Sequence, residues 1–348
     1  YNQDIAVDNM ATYVYQTLFL RGYDHDEIYN IAYKPNLDFN GDTVPDYEMV
    51  DAPVTLKEVV KNKKPLEQIT LEHLKEAFEW AKAKHHAKAE GVPEEPLVVI
   101  FVDHGLRDKL VLSSGNNILK ELEFKALLDD YQAQTGNQVV VIIEACYSGT
   151  LKDALQAPNR VIVTSTNDKL AYYKDLGRTS FTRFYFDKLH RGTAYWNSLQ
   201  SVKYDVFAKL GTPFNEQDPQ IEDSAENQIA QRLCLNNCYG SLPEPELIPE
   251  TLPRFLSANT SIELAVQIED NHNEILSASV SVITPQEVHE YNEQGFELEK
   301  PLFIGNLIQG ENKKWFTHFN EFTIPGKYNF LFRAEYKVRS GIRTVSAL

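Results

Sequence analysis

Val98-Val99-Ile100-Phe101-Val102-Asp103-His104-Gly105 and Val139-Val140-Val141-Ile142-Ile143-Glu144-Ala145-Cys146-Tyr147-Ser148-Gly149 decide the reading of this chain. Each is an unbroken apolar run that ends in a chemically capable side chain and a small or turn-forming residue. Continuous Val/Ile runs mark interior strands of a parallel sheet. Open α/β sheets place their ligand crevice beyond the carboxyl ends of the strands. The two runs therefore aim a histidine and a cysteine at one edge of one sheet, as a thiol nucleophile with a histidine partner requires. Singly, neither residue says much. A lone buried cysteine is more often a small hydrophobe, and thiol reactivity depends on its surroundings. Their joint placement at two strand ends, with a helix between them, carries the inference.

Working outward, Ile5 to Arg21 places Val7, Met10, Ala11, Val14 and Leu18 at helical spacing, with Gly22 as a stop. Glu27 to Tyr33 reads as a strand, and Thr55 with Glu58 as a capping box. A helix is expected over Leu71–Lys88, then the histidine strand over Leu97–Val102. A helix over Glu121–Gln134 precedes the cysteine strand. Arg160–Ser165 reads as a further strand, and helices follow over Ser180–His190 and Tyr195–Leu210. This alternation predicts an α/β fold with a mostly parallel sheet flanked by helices. Leu242 to Glu250, rich in proline and glutamate, has linker composition. Beyond it, Ser261–Ile268, Ala278–Ile283 and Tyr328–Ala334 alternate as half-buried strands of an all-β sandwich. The expected domains are 1–240 and 251–348.

The 348 residues exceed one typical domain. A net charge of −16 argues against a nucleic-acid partner, whose footprint would be basic, and favours a well-solvated protein or one that attracts cationic substrates. No apolar run approaches the roughly 18 residues of a membrane helix, so no transmembrane segment is expected. A secreted or periplasmic location is the expectation, the signal segment lying outside this chain, with a cytoplasmic one as the alternative. Three cysteines exclude a disulfide scaffold. Cys234 and Cys238 suit a local disulfide or two free thiols equally; without a second ligand pair they do not suggest zinc.

Phe101-Val102-Asp103-His104-Gly105 together with Glu144-Ala145-Cys146-Tyr147-Ser148-Gly149 resembles the His-Gly and Ala-Cys motifs of the caspase/legumain superfamily of cysteine peptidases, nearer its legumain-like bacterial branch. Leu20-Arg21-Gly22-Tyr23, Arg160–Thr166 and Ser180-Phe181-Thr182 extend the resemblance over about residues 4–225. It implies a caspase-like fold and a peptide or protein substrate, with no cofactor required. Some such bacterial proteins carry a C-terminal immunoglobulin-like sandwich. Cys146 is then the nucleophile and His104 the proton donor to the departing amine. The resemblance assigns the oxyanion hole to the backbone N–H groups of Gly105 and Cys146. It also implies that Ser165 and Thr166, with Asp168 nearby, bind the side chain preceding the cleaved bond. Glu144 and Asp103 read as orienting groups or, more simply, as satisfied polar residues at strand ends.

Asp38, Asn40 and Asp42 alternate, with Asp46 and Glu48 following, a spacing of hard oxygen ligands that suits calcium. Thr43 stands where an EF-hand loop has glycine, and Met49 closes the loop where it has glutamate, so a solvated Asx-rich turn fits the same residues. Three functions stay open at this stage: a Cys/His endopeptidase, a transpeptidase of the same fold, and a non-catalytic caspase-like binding scaffold.

Overall fold

The computed structural model describes residues 2–32, 69–86, 95–113, 117–223, 228–238, 245–252, 255–257, 260–270, 274–285, 290–291, 297–298, 303–338 and 341–348. They form two compact units. The first runs to Lys203 and resumes over Gln217–Gly240; the second comprises Tyr204–Glu216 and Ser241–Leu348. The acidic loop with Asp38, Asn40, Asp42, Asp46 and Glu48 and the Thr55/Glu58 capping box lie outside the described residues.

In the first unit, α1 (Asn2–Leu20) and α2 (Leu71–His86) precede β1 (Leu97–Val102). A small antiparallel sheet follows, made of β2 (Gly105–Leu106), β3 (Lys109–Val111) and β4 (Ile118–Lys120). Then come α3 (Glu121–Thr135), β5 (Val139–Glu144), a 3-10 turn over Ser148–Leu151, α4 (Lys152–Leu155) and β6 (Arg160–Thr164). Helices α5 (Phe181–His190) and α6 (Tyr195–Ser201) lead on to β7 (Gln220–Asp223). The main sheet has the order β1-β5-β6-β7. Its first two pairings are parallel and the last antiparallel. This is the α/β, caspase-like arrangement read from the sequence. The pleat sends Val139, Val141 and Ile143 into a core with Phe78, Phe124, Leu128 and Tyr131 of α2 and α3.

Three expectations need correction. Glu27–Tyr33 is not a strand: His25–Glu27 is a 3-10 turn, and Ile28–Ala32 has no regular structure. The Glu27 carboxylate accepts the Asp24 N–H (2.9 Å), which favours turning over extension. Tyr29 then packs on Trp80 of α2, ring centres 5.2 Å apart. Second, β5 is buried throughout, but β1 is only half-buried, because among the described residues it has one strand neighbour. Third, the helix expected over Tyr195–Leu210 does run to Leu210, but with wider, π-type turns over Val202–Phe207 between α-helical Tyr195–Ser201 and Ala208–Leu210.

The second unit is antiparallel β. Part of the stretch with linker composition is its first strand, β8 (Glu246–Pro249), paired with β9 (Ile262–Glu269). The following strands are β10 (Glu274–Ile283), β11 (Glu290–Tyr291), β12 (Glu297–Leu298), β13 (Phe303–Asn306), β14 (Ile308–Gln309), β15 (Lys314–Phe319), β16 (Asn329–Val338) and β17 (Gly341–Ala347). Two four-stranded sheets, β14-β15-β9-β8 and β13-β10-β16-β17, share one core. Leu264, Val266 and Ile268 supply it from one sheet, and Val280, Val282, Phe332 and Tyr336 from the other. Glu263 and Gln267 alternate outward, as half-buried strands require.

One buried cation ties the first unit together. Arg160, at the start of β6, is 1% exposed. Its guanidinium donates to Leu155 O (2.7 Å), Gln132 Oε1 (2.9 Å) and Asp129 Oδ1 (2.8 Å). Arg160→Ala should cost about 3 kcal/mol, because it opens a cavity and strands a buried carbonyl. Asp129→Ala should cost less, about 1–2 kcal/mol: it leaves the buried guanidinium without its carboxylate, but Gln132 and Leu155 O still accept from it. Urea denaturation of the two variants checks the order.

Candidate active site

The site forms where β1 and β5 end side by side. Their parallel register pairs Val102 with Glu144, and the Asp103 N–H continues the ladder to Glu144 O (3.1 Å). The residues that follow stay adjacent. His104 is fixed through its own N–H, which donates to Asp103 Oδ1 (2.7 Å). Gly105 then passes so close to the cysteine turn that an added Cβ would lie 2.1 Å from Cys146 O and 2.9 Å from Ala145 Cβ. Only glycine permits that approach.

The cysteine turn is tightly built. Tyr147 has φ 59°, the left-handed region that a side-chain-bearing residue adopts at a cost of order 1–2 kcal/mol. Several bonds hold it there: the Tyr147 N–H donates to Lys169 O (2.7 Å), and the Thr150 hydroxyl to Tyr147 O (2.8 Å). Gly149 lies against Asn167, where a Cβ would stand 2.6 Å from Asn167 Cα. Cys146 itself is half-buried and a free thiol, with Sγ 3.8 Å from Ala171 O. The Arg107 guanidinium stacks over the Tyr147 ring at 5.3 Å and donates to Asp168 O (3.3 Å), bridging the histidine hairpin to the segment after β6.

His104 and Cys146 line one narrow cleft of about 20 Å3, room for about one water molecule. Asp103, Glu144 and Ala145 belong to the same lining. Val7 and Met10 of α1, with Ala171 and Tyr173 of the loop after β6, complete it. The sequence had suggested Val7 and Met10 only as one face of a helix, and nothing in the local pattern marked Ala171 or Tyr173. Contact of α1 with this sheet edge is a tertiary fact that helical spacing alone does not encode.

Glu144 is 3% exposed. One carboxylate oxygen accepts the Phe181 N–H (3.2 Å) and the other the Thr182 N–H (2.7 Å), so it caps the first turn of α5. Ser180 caps the same turn through the Arg183 N–H (3.1 Å). Burial pushes the Glu144 carboxyl up to about 7, and the hydrogen bonds from Thr182 and Phe181 only partly oppose it.

The residues expected to bind the preceding side chain are placed otherwise. Ser165 and Thr166 are wholly buried. Ser165 Oγ lies 3.3 Å from the Ala145 N–H and 3.4 Å from Ser148 Oγ, and Ser148 Oγ is 3.4 Å from Thr166 O. They pack against the cysteine turn from β6, the sheet neighbour of β5, and are not among the residues that line this cleft. Asp168 is exposed and pairs with Arg107 at 3.7 Å. Asp218, Glu222 and Asp223 bond Lys203, Lys152 and the Ala230 N–H. Among the described residues, no group of three or more His, Cys, Asp or Glu is placed to hold a metal ion.

Arg21, in the Leu20–Tyr23 segment, is a clasp. Its guanidinium donates to Leu235 O (3.1 Å), His190 O (3.2 Å) and Asn237 Oδ1 (3.0 Å). It thereby holds the loop closed by a disulfide between Cys234 and Cys238, whose Cα atoms are 5.1 Å apart. No described helix is long and apolar enough to cross a membrane.

No curated protein matches the chain. The sequence pattern of the peptidase C13 family matches residues 8–200, a span that contains most of α1, both strand ends and the whole cysteine turn. With more than half its length so matched, the chain belongs to the peptidase C13 family, the legumain and GPI-transamidase family of cysteine enzymes.

Proposed function

We propose that this chain is a cysteine endopeptidase in which Cys146 attacks the scissile carbonyl and His104 protonates the departing amine. The observation that carries this reading is that both side chains line one cleft, with Gly105 in contact with the cysteine's own backbone. A thiolate attacks a carbonyl far better than a hydroxyl does at neutral pH. An amide nitrogen leaves poorly unless protonated, which is the imidazole's task. The acyl-enzyme then passes its acyl group to water, or to an amine if the enzyme is a transpeptidase.

The oxyanion hole is formed by the N–H groups of Gly105 and Cys146. The β2/β3 ladder supports this: the Val111 N–H donates to His104 O (3.0 Å), so alternation turns the Gly105 N–H away from β3. We read the C-terminal unit as immunoglobulin-like, on its two antiparallel sheets over one core, and the catalytic unit as of the bacterial legumain-like branch. The Cys234–Cys238 disulfide favours a secreted or periplasmic location. A structural calcium ion at Asp38, Asn40, Asp42 and Asp46 is part of the same reading, on sequence spacing alone.

A peptide library incubated with wild type and variants, read by mass spectrometry, tests the activity. Cys146→Ala should abolish cleavage, and His104→Ala should lower kcat/KM by roughly 10²- to 10⁴-fold. Cleavage that persists in Cys146→Ala would refute the assignment. Addition of an amine nucleophile separates hydrolysis from transfer by the product formed.

A second prediction concerns Glu144. Its folded carboxyl holds a proton up to about pH 7, against 4.5 for the ordinary group. Between those values the folded state binds more protons than the unfolded one. Stability therefore falls as pH rises from 4.5 to about 7. In Glu144→Gln that contribution is absent, so the urea midpoint of wild type should fall relative to the variant across this window. Parallel curves would show that Glu144 titrates normally.

A further inference from the structure

We infer that Gln217 is a positioning residue for the proposed reaction: its side-chain amide fixes the wall that Ala171 and Tyr173 present to Cys146. The inference rests on the peptidase reading above. The wall belongs to one segment that leaves β6 alongside the cysteine turn. Alternate residues of that segment bond the turn or the strand leading to it. The Ser165 N–H donates to Ile143 O (2.8 Å), Asn167 O accepts the Gly149 N–H (2.9 Å), and Lys169 O accepts the Tyr147 N–H (2.7 Å). Next in this alternation is Ala171, whose carbonyl oxygen stands 3.8 Å from Cys146 Sγ. The cleft has room for about one water molecule, so an acyl group bonded to Sγ must lie against this wall. A small shift of Ala171 or Tyr173 therefore changes what substrate meets.

Gln217 holds both ends of that segment. It lies just ahead of β7 and is 2% exposed. Its Oε1 accepts the Tyr172 N–H (2.9 Å), and its Nε2 donates to Ser165 O (2.8 Å). Tyr172 is the residue between the two wall residues, and Ser165 is where the segment leaves β6. A backbone N–H on one side and a backbone carbonyl on the other call for an acceptor and a donor on one planar group, which an amide supplies. A carboxylate of the same length offers only acceptors, and a methionine of similar length offers neither strong donor nor acceptor. Without the amide, the Tyr172 N–H and the Ser165 carbonyl lose a partner in a dry setting, and the segment shifts to regain one. The cysteine turn keeps its own bonds to Asn167 and Lys169 in that case. The loss therefore falls on contact with substrate, which sets KM, and spares the reactivity of the thiol.

The test compares Gln217→Met and Gln217→Glu with wild type on a peptide that wild type cleaves, and measures alkylation of Cys146 by iodoacetamide alongside. Asp129→Ala, which weakens the hold on Arg160 at the opposite end of β6, is the control for a general loss of stability. Gln217→Met should raise KM by roughly tenfold and leave kcat within about threefold of wild type. Gln217→Glu, which keeps an acceptor for the Tyr172 N–H, should raise KM less. Cys146 should be alkylated at the wild-type rate in both, and Asp129→Ala should leave KM unchanged. An unchanged or lower KM in Gln217→Met would overturn the inference and leave the peptidase reading intact. So would a KM that rises equally in Asp129→Ala, or one that rises more in Gln217→Glu than in Gln217→Met. If Gln217→Met does not fold, Gln217→Glu alone decides: a raised KM with unchanged alkylation supports the inference, and an unchanged KM overturns it. Absence of any Cys146-dependent cleavage by wild type would overturn both.

Discussion

The site depends on one constraint, the register of two parallel strands. Because Val102 lies opposite Glu144, the chain segments beyond them, which carry His104 and Cys146, emerge together. A slip of one residue would turn every side chain of β1 to the other face. The Val/Ile composition of β5, all of it buried, makes such a slip expensive, since its core face is already filled by α2 and α3. Gly105 adds a second lock. Its missing side chain is the space into which the Cys146 carbonyl fits, so the two loops touch through backbone.

Glu144 couples this strand end to the helix packed behind it. A carboxylate at a buried strand end is costly by itself. Here both its oxygens meet N–H groups that α5 cannot satisfy internally, so two liabilities offset each other. Position is the result: the residue two places before the nucleophile is tied to the first turn of α5. Beneath the turn, Ser148, Ser165 and Thr166 form a small buried polar cluster, which fixes the backbone more directionally than apolar packing would.

The sequence made much of this legible, and the reasons are physical. Runs such as Val139–Ile143 have one stable environment, and helices α3 and α5 carry both periodicity and stop or cap residues; Gly136 and Ser180 stand where the structure ends one and begins the other. The strand ends alone placed His104 and Cys146 at one edge of the sheet. What the sequence did not mark was long-range. Ser165 and Thr166 follow β6 in the expected order, and the structure buries both against the cysteine turn. The cleft walls from α1 and from Ala171 and Tyr173 come from segments far apart in the chain, with no shared local pattern. The linker composition of Leu242–Glu250 misled in part because proline and glutamate are tolerated on an edge strand such as β8.

The two halves of the dyad are held with unequal firmness, and this bears on how such a site would work. The cysteine follows a strand with neighbours on both sides and enters a turn fixed by bonds to Lys169, Ala145 and Asn167. The histidine leads into a two-residue strand, and its hairpin is tied across the site by an exposed cation, Arg107, on Tyr147 and Asp168. A nucleophile must be placed before attack, because the reaction geometry at carbon is narrow. A proton donor to the departing amine acts later, on an atom whose position the substrate sets. On the proposed mechanism, a firmly tied cysteine turn beside a histidine on a short hairpin matches the order of events: attack is preorganised, and the acid meets the leaving group later.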